Sequence, residues 1–371
     1  GLSSPLRFLK FPSMSHPSGI TSKAFDSPAR ARLADYVARA GLDPGRILAL
    51  TPDASTREYF RIPWKRPASA IACVYPEPFD PEVHPFLDVT RLFVAASLPV
   101  PEILDVDAMS GIIVQEDLGD QQLRRVLETL PEDERDTHLE RAVSLIADVQ
   151  AATRLAHERD SIACRLAFDE AKLSWELDFF VRHFFKSLRN EDLKHSEEAE
   201  LRAELNDLSA ELAARPRVLC HRDFHTMNLM VDRRGRLRMI DYQDARMGPA
   251  SYDLVSLLLD RQTSPPSLAE VRERRLFFLE ERRKRGLEDL DPDDFAREFR
   301  LMTVQRCLKA VGTFSYQSAV LGRGETYLPY IRTTLFMVIQ SAEWLERFPV
   351  TRATLRARLD EEYQHEQKEV S

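Results

Sequence analysis

Apolar and polar positions follow two different patterns along this chain. Between about residues 46 and 115, short apolar runs alternate with turn-forming residues, which predicts a small, mostly antiparallel sheet with one inserted helix at 82–97. Before this region, Ser27 followed by Pro28 is typical of a helix start, and Gly41 of its end. The strands are expected at residues 46–50, 58–62, 70–75, 102–106 and 112–115.

From about residue 121, the apolar positions recur at helical spacing. Long amphipathic helices are expected at 139–154, 170–185, 197–214 and several times after Ser251, and one strand-rich passage at 218–241 interrupts them. The expected fold class is therefore α+β. The expected organisation is a disordered leader at 1–26, a sheet lobe at 27–118 and a helical lobe at 119–371.

The strand-rich passage contains a polar loop between two apolar strands, 218–220 and 229–231. A turn and a third strand then lead back to Asp241, so Asp223, Asn228 and Asp241 should converge. Phosphoryl transfer uses these residue types: a carboxylate of ordinary pKa, here Asp223, orients the acceptor hydroxyl and accepts its proton. Magnesium prefers oxygen ligands, which Asn228 and Asp241 supply. The alternative is a surface loop in which the aspartate caps a helix and the asparagine forms a turn.

The spacing His221-x-Asp223-x4-Asn228, with Asp241 thirteen residues later, resembles the protein-kinase-like superfamily and its aminoglycoside-phosphotransferase branch. The resemblance implies a bilobal kinase-like fold with a small antiparallel-sheet lobe and a larger helical lobe, together with the use of ATP and Mg²⁺. It implies that Asp241 binds the metal, and that His221 and Asp253 are structural residues bracing the catalytic loop. A contact of His225 with substrate and a purely structural place in the loop both remain open.

The expected nucleotide-binding residues come from two places in the first lobe. A polar turn at 53–61 lies where such folds cover phosphates, but it contains no glycine, and the following strand lacks the phosphate-binding lysine of most relatives. Either Arg57 or Arg61 replaces that lysine, or nucleotide binding is weakened. An ordinary polar hairpin turn is the alternative. The expected set, including the interlobe hinge, is Ser55, Thr56, Arg57, Arg61, Glu116 and Leu118.

Several further segments resemble one subgroup, the anomeric kinases of the cell-wall amino sugars N-acetylmuramate and N-acetylglucosamine. The resembling segments are residues 53–61, 100–104, 116–120, 240–245, 304–314 and 327–329. The acceptor pocket is expected to be lined by Gln243, Asp244, Gln305, Arg306 and Lys309, in which a cation would suit a lactyl carboxylate or a sugar carbonyl. A solvated helix face is the alternative for the last three. Departures at residues 75–78, in the leader and after Phe348 leave the sugar open.

Composition excludes several other classes. The net charge of -8 argues against nucleic acid as a partner, and no apolar run approaches the ~20 residues of a membrane span. The four cysteines are far apart, and the first residues do not resemble a secretory signal, which favours the cytoplasm. The oligomeric state is not predicted. The alternative functions are another small-molecule phosphotransferase, of aminoglycoside, choline or homoserine type, and a non-catalytic pseudokinase, which the missing lysine motivates.

Overall fold

A computed structural model describes residues 27–50 and 57–370 of the chain, with side chains as far as residue 360. The expected leader at 1–26 and the candidate residues Ser55 and Thr56 therefore lie outside the described residues. Two compact units are present: the first comprises the described residues up to Phe79 together with Ile103–Asp117, and the second Asp80–Glu102 with the chain from Leu118 onward. The lobe boundaries expected from the sequence remain predictions.

Within residues 27–50, 57–79 and 103–117, the first unit is a five-stranded antiparallel sheet covered by one α-helix, α1 (Pro28–Arg39). Its strands are β1 (Leu48–Ala49), β2 (Glu58–Pro63), β3 (Ser69–Val74), β4 (Ile103–Asp107) and β5 (Ile112–Glu116). Their order in the sheet is β1-β2-β3-β5-β4. Leu33 and Val37 of α1 are fully buried in one core with Phe60, Ile62 and Val114 of the sheet. The antiparallel sheet predicted from the alternating pattern is confirmed.

The helix start at Ser27 is confirmed, because the Ser27 hydroxyl accepts a hydrogen bond from the Arg30 amide at 3.2 Å. The predicted strand at 46–50 is partly wrong. A 3-10 turn, Pro44–Arg46, precedes it, since the Asp43 carboxylate accepts a hydrogen bond from the Gly45 amide at 2.8 Å and favours a helical turn. Only the two residues of β1 remain as a strand.

The second unit is mainly helical. Its helices are α2 (Pro85–Ala95), α3 (Leu123–Thr129), α4 (Glu132–Ala151), α5 (Thr153–Glu158), α6 (Ile162–Arg165), α7 (Glu170–Phe180), α8 (His195–Ala213), α9 (Tyr252–Leu259), α10 (Leu268–Lys284), α11 (Pro292–Ala319), α12 (Gly324–Trp344) and α13 (Pro349–Val370). A π-helical segment, Val181–Leu188, continues α7. Among the described helices, none combines the length and the hydropathy that crossing a bilayer requires.

Helix α11 lies at the centre of this unit and is buried on most of its surface. Gly312 allows close packing there, because a Cβ atom at this position would lie 2.7 Å from the Phe180 Cα and 2.9 Å from its nitrogen. The approach fixes α11 against the end of α7. Helices α7, α9 and α11 are therefore held together tightly enough to present side chains from all three to one place.

Two short antiparallel ribbons complete the second unit. Strands β7 (Leu229–Val231) and β8 (Leu237–Met239) form the hairpin that the sequence predicted. Strand β6 (Val218–Cys220) was also predicted, but its partner β9 (Arg246–Gly248) was not. The pattern did not reveal β9 because it is only three residues long and follows a polar loop. Hydrogen bonds from His221 to Ile240 and from Ile240 to Asn228 bring together the end of β6, the start of β7 and the end of β8.

Candidate active site

The loop from His221 to Asn228 leaves β6 and is held by a buried carboxylate. At the start of α9, Asp253 Oδ2 accepts a hydrogen bond from the His221 amide at 2.7 Å, and its Oδ1 accepts one from the Arg222 amide at 3.0 Å. Burial raises the pKa of Asp253 to about 7, although both amides oppose this shift. Arg222 has a φ of 86°, a conformation that persists only when the surroundings determine it. The hydrogen bond from the Arg222 amide to Asp253 holds Arg222 in this conformation.

His221 ties the same loop to the returning hairpin. Its imidazole is buried, and Nε2 lies 3.0 Å from the carbonyl oxygen of Ile240, to which it donates. Burial lowers the pKa of His221, so the ring is neutral at neutral pH, despite the opposing influence of Asp241 and Asp223. A neutral, buried ring bonded to the backbone fits the structural role predicted for this residue.

Asn228 and Asp241 lie next to each other. The Asn228 side-chain amide donates to the Asp223 carbonyl oxygen at 3.0 Å and to Asp241 Oδ2 at 3.4 Å. The Ile240 amide donates to the Asn228 carbonyl at 3.0 Å, and Gln243 Nε2 donates to Asp241 Oδ1 at 2.7 Å. Asp241 has a φ of 62°, a second strained position in the same site. The convergence of these oxygen-bearing side chains follows from the pairing of β7 with β8.

This pair fits a magnesium ion by its chemistry. The side-chain nitrogen of Asn228, Nδ2, donates hydrogen bonds to protein oxygens, so the side-chain oxygen, Oδ1, is the atom left for a cation. In the described part of the chain, no three His, Cys, Asp or Glu side chains form a metal-binding group. Mg²⁺ does not require one, because it binds through one or two protein oxygens and completes its shell with water and phosphate.

The Asp223 carboxylate is surrounded by cations. Arg306 Nη2 and Lys309 Nζ lie 3.5 Å and 3.6 Å from its Oδ1, and Arg222 Nε lies 3.8 Å from its Oδ2. Burial opposes ionisation, but Lys309, Arg222 and Arg306 together hold the pKa of Asp223 well below its ordinary value. The sequence suggested an ordinary pKa. Its side chain is still 27% exposed, so the carboxylate is reachable by a ligand.

The two helix α11 cations differ in how they are held. Arg306 is buried, donates to Ser256 Oγ at 2.8 Å, lies 3.5 Å from Asp260 Oδ2 and sits over the Tyr252 ring at 5.3 Å. Lys309 has its pKa lowered to about 8, chiefly by burial and then by the Arg306 charge. Asp260, which fixes Arg306, was missed from the sequence because it appeared only as a polar residue ending an apolar helix.

Gln305 lies in the interior, against α7. It is 0% exposed and its Nε2 donates to Glu176 Oε2 of α7 at 3.0 Å. The remaining oxygens, Gln305 Oε1 and Glu176 Oε1, are buried with no hydrogen-bond partner among the described residues, although Lys172 Nζ lies 3.8 Å from the latter. Glu176 was missed because a glutamate one helical turn from a lysine, here Lys172, is typical of an exposed helix face.

Asp244 and His225 lie at the edge and in the interior of the site. Asp244 is half exposed and pairs with Arg222 Nη1 at 3.0 Å. His225 is buried, with Nε2 3.3 Å from the Asn228 amide nitrogen, and burial lowers its pKa to about 3. His225 is therefore neutral and buried within the loop.

The two arginines predicted to bind nucleotide contact different neighbours in the first unit. Arg61 donates to Asp117 through Nε at 2.7 Å and through Nη2 at 3.0 Å, and Ser69 Oγ donates to the same carboxylate at 2.7 Å. The Arg57 guanidinium lies 5.9 Å from the Tyr59 and Tyr75 ring centres.

The two residues predicted at the hinge flank the point in the chain where the first unit ends and the second continues. Glu116 ends β5 opposite Ala70 of β3. Leu118 is buried at the start of the second unit. Neither position is assigned a ligand by its contacts, and the hinge role remains a prediction.

The chain is similar in sequence to proteins named as kinases. Over 270 residues the chain is 32% identical to a protein of Neisseria meningitidis named N-acetylmuramate/N-acetylglucosamine kinase, covering 71% of this chain and 76% of that protein. A protein of the same name from Pseudomonas aeruginosa is 30% identical over 280 residues, covering 73% and 77%.

Among solved structures, the fold is similar to a streptomycin–ATP complex of the aminoglycoside phosphotransferase APH(2")-IIa, with a TM-score of 0.53 and 14% identity over 82% of this chain and 96% of that one. ADP-bound APH(2'')-Ib gives a TM-score of 0.52 with 14% identity, over 83% and 98%. These likenesses show a protein-kinase-like α+β bilobal fold.

A family model described as "Phosphotransferase enzyme family" (APH) matches residues 46–287, more than half of the chain. The predicted kinase-like resemblance is thereby confirmed. The chain belongs to this phosphotransferase family and is an ATP-dependent phosphotransferase that acts on a small-molecule acceptor.

Proposed function

We propose that the protein transfers the γ-phosphoryl group of ATP, with Mg²⁺, to the anomeric hydroxyl of a cell-wall amino sugar, N-acetylmuramate or N-acetylglucosamine. The observation that carries the proposal is the convergence of Asp223, Asn228 and Asp241, within one loop and one hairpin, beside the cations of α11. The names of the relatives at about 30% identity support the choice of sugar.

Asp223 is the residue that orients the acceptor hydroxyl and receives its proton. Its depressed pKa makes it a weak base, so it hydrogen-bonds the hydroxyl first and takes the proton late, once the hydroxyl oxygen has begun to bond to phosphorus. The bond between the γ-phosphorus and the bridging oxygen breaks in the same step, and ADP leaves. Burying the carboxylate among cations holds it in one position without a large conformational change.

Asn228 and Asp241 are proposed to hold the magnesium ion, whose chemistry is to bind phosphate oxygens and to offset the charge that develops on them. Gln243 fixes the Asp241 carboxylate through its hydrogen bond to Oδ1. His221 and Asp253 keep the loop and the hairpin in register. Removal of either brace should displace the ligands rather than remove them.

Nucleotide binding is assigned to the predicted lobe at 27–118 and acceptor binding to the lobe at 119–371. Ser55 and Thr56 are proposed to bind phosphate oxygens, and Glu116 and Leu118 to lie beside the adenine. We assign the phosphate contact to Arg57 or Arg61, the two cations of the predicted turn at 53–61.

The acceptor pocket is proposed to lie around Gln243, Asp244 and Arg306, with the buried Gln305 behind it and Lys309 at its border with Asp223. The Arg306 charge suits an acceptor that carries a carbonyl or carboxylate, and the cations beside Asp223 disfavour a polycationic aminoglycoside. We further place the protein in the cytoplasm, where ATP is available and where four separated thiols stay reduced.

The proposal is tested by measuring ATP consumption with a panel of acceptors: N-acetylmuramate, N-acetylglucosamine, their methyl glycosides, an aminoglycoside, choline and homoserine. Turnover is expected with the two amino sugars and not with the methyl glycosides, which lack the anomeric hydroxyl. Phosphorylation of a methyl glycoside would move the reaction to another hydroxyl. Turnover of an aminoglycoside, choline or homoserine, with none of an amino sugar, would refute the choice of substrate.

Two variants separate the proposed roles. Asp223→Ala should bind ATP with Mg²⁺ as the wild type does and lose several orders of magnitude in kcat. Asp241→Ala should lose the magnesium dependence of ATP binding in calorimetry with and without the metal. Wild-type activity in Asp223→Ala would refute the base assignment, and a catalytically silent wild-type protein that still binds ATP would identify a pseudokinase.

A further inference from the structure

Three cations surround Asp223, and one of them differs from the other two. Arg222 also pairs with Asp244 at 3.0 Å, and Arg306 also lies 3.5 Å from Asp260. Lys309 has Asp223 as its only carboxylate within 4.0 Å among the described residues. Two of the three charges are thus shared with neighbouring carboxylates, while the Lys309 charge faces the proposed base alone.

The Lys309 ammonium group also has unused hydrogen-bonding capacity. Its Nζ lies 3.6 Å from Asp223 Oδ1, too far for a hydrogen bond, and donates none to any described residue. An ammonium group carries three donors. Its side chain is 15% exposed and rises from a buried helix, so the charge is partly desolvated and its interactions with a ligand are strengthened.

We propose that Lys309 is a catalytic residue whose ammonium group binds an oxygen of the phosphoryl group during transfer. This inference rests on the proposed function, because the group in transfer must lie next to the hydroxyl that Asp223 holds. A cation 3.6 Å from the base is then within one side-chain movement of the phosphoryl oxygens. Lys309 keeps its proton throughout, while the acceptor proton passes to Asp223 and the bond to ADP breaks.

The charge requirement of the reaction favours the phosphoryl group over the acceptor as the partner of Lys309. The transferred group carries negative charge on three oxygens, which phosphotransferases offset with metal and cationic side chains. Strand β3, Ser69–Val74, contains no cationic side chain that could contribute. Arg306 is fixed by Ser256 and Asp260, which leaves the flexible lysine as the side chain of α11 able to follow the moving group.

The test compares Lys309→Met with Lys309→Arg. The control is Lys284→Met, which removes another lysine–carboxylate pair, at 2.7 Å from Glu281, on α10 of the same unit. Calorimetry measures the affinity for ADP and for a nonhydrolysable ATP analogue, each with Mg²⁺. Lys309→Met should lower the affinity for the analogue by roughly 10- to 100-fold and leave the affinity for ADP unchanged, since only the analogue has a γ-phosphoryl group. With an active acceptor, its kcat should fall by about 10²- to 10³-fold. Lys309→Arg should recover part of both losses, and Lys284→Met should match the wild type.

Two results would overturn the inference. A raised KM for the acceptor with unchanged discrimination between the analogue and ADP would place Lys309 on the acceptor. An altered acidic limb of the pH–kcat profile, again with unchanged discrimination, would show that Lys309 acts only by setting the pKa of Asp223. If the wild type turns over no amino sugar but Lys309→Met no longer discriminates between the ATP analogue and ADP as the wild type does, the sugar assignment fails and the role of Lys309 stands.

Discussion

Asp253 offers a direct measurement of what holds the candidate catalytic loop. Its carboxylate is fully buried and accepts the amides of His221 and Arg222 at 2.7 and 3.0 Å. Asp253→Ala leaves both amides buried without an acceptor, and each such group costs about 1–2 kcal/mol. At pH 6 we expect the free energy of unfolding to fall by about 2–4 kcal/mol. Asp253→Asn retains one acceptor and should lose about half as much.

The pH dependence of this loss has a definite sign. Because burial raises the folded-state pKa of Asp253 from 3.8 to about 7, the folded protein binds more protons than the unfolded chain between these values. The stabilisation from Asp253 is therefore complete below pH 3.8 and is lost as the pH rises through 7. The difference between wild type and Asp253→Ala should be smaller at pH 8 than at pH 6. The difference between the Asn and Ala variants should stay constant.

Urea unfolding in a Trp64→Phe background provides the assay, since the remaining Trp175 and Trp344 both lie in the helical unit. Hydrogen exchange at the amides of residues 221 and 222 should become faster in the Ala variant. Asp169→Ala is the matched control: this exposed carboxylate caps the Lys172 amide at 2.8 Å, and its loss should cost only about 1 kcal/mol. The reasoning fails if Asp253→Ala stays within about 0.5 kcal/mol of wild type at pH 6 or keeps both amides protected.

Three further predictions concern packing, charge and the first unit. Gly312→Ala should lower the free energy of unfolding by about 1–3 kcal/mol in the same urea assay, because the added Cβ meets backbone atoms. Gly324→Ala should be nearly neutral, because its added Cβ meets only a flexible leucine side chain. Equal effects of the two substitutions would contradict this reasoning. Burial and the Arg306 charge lower the pKa of Lys309 to about 8, so the wild-type kcat/KM should fall above pH ~8 as Lys309 loses its proton. Lys309→Arg should shift this alkaline limb of the pH profile to higher pH. Superimposable pH profiles of the two proteins would refute the prediction. Arg61→Met removes the guanidinium that pairs with Asp117, whose side chain is only 2% exposed, and should destabilise the first unit by about 3–5 kcal/mol. Unfolding of this unit is followed by Trp64 fluorescence. Adding Asp117→Leu should recover part of the lost stability, and no recovery would contradict a buried-charge penalty.

The sequence by itself determined the elements and the principal polar residues of the site. Apolar periodicity predicted the sheet, the long helices and the β7–β8 hairpin, because burial on one face imposes a regular spacing on the chain. The spacing of Asp223, Asn228 and Asp241 was sufficient to predict that they converge, since a strand–loop–strand–turn–strand path leaves few alternatives. The resemblance to a phosphotransferase family was carried by the same short passage.

Only the tertiary structure decided the electrostatics of the site. Residues separated by dozens of positions, on α7, α9 and α11, meet where no local pattern records it: Glu176 lies against Gln305, and Arg306 lies against Asp260. The depressed pKa of Asp223 depends on three charges brought within 4 Å of it, and Coulomb interactions depend on distance in space, which sequence spacing does not give. The strands and loops could be predicted from neighbours along the chain, whereas charge and burial are properties of the packed helices.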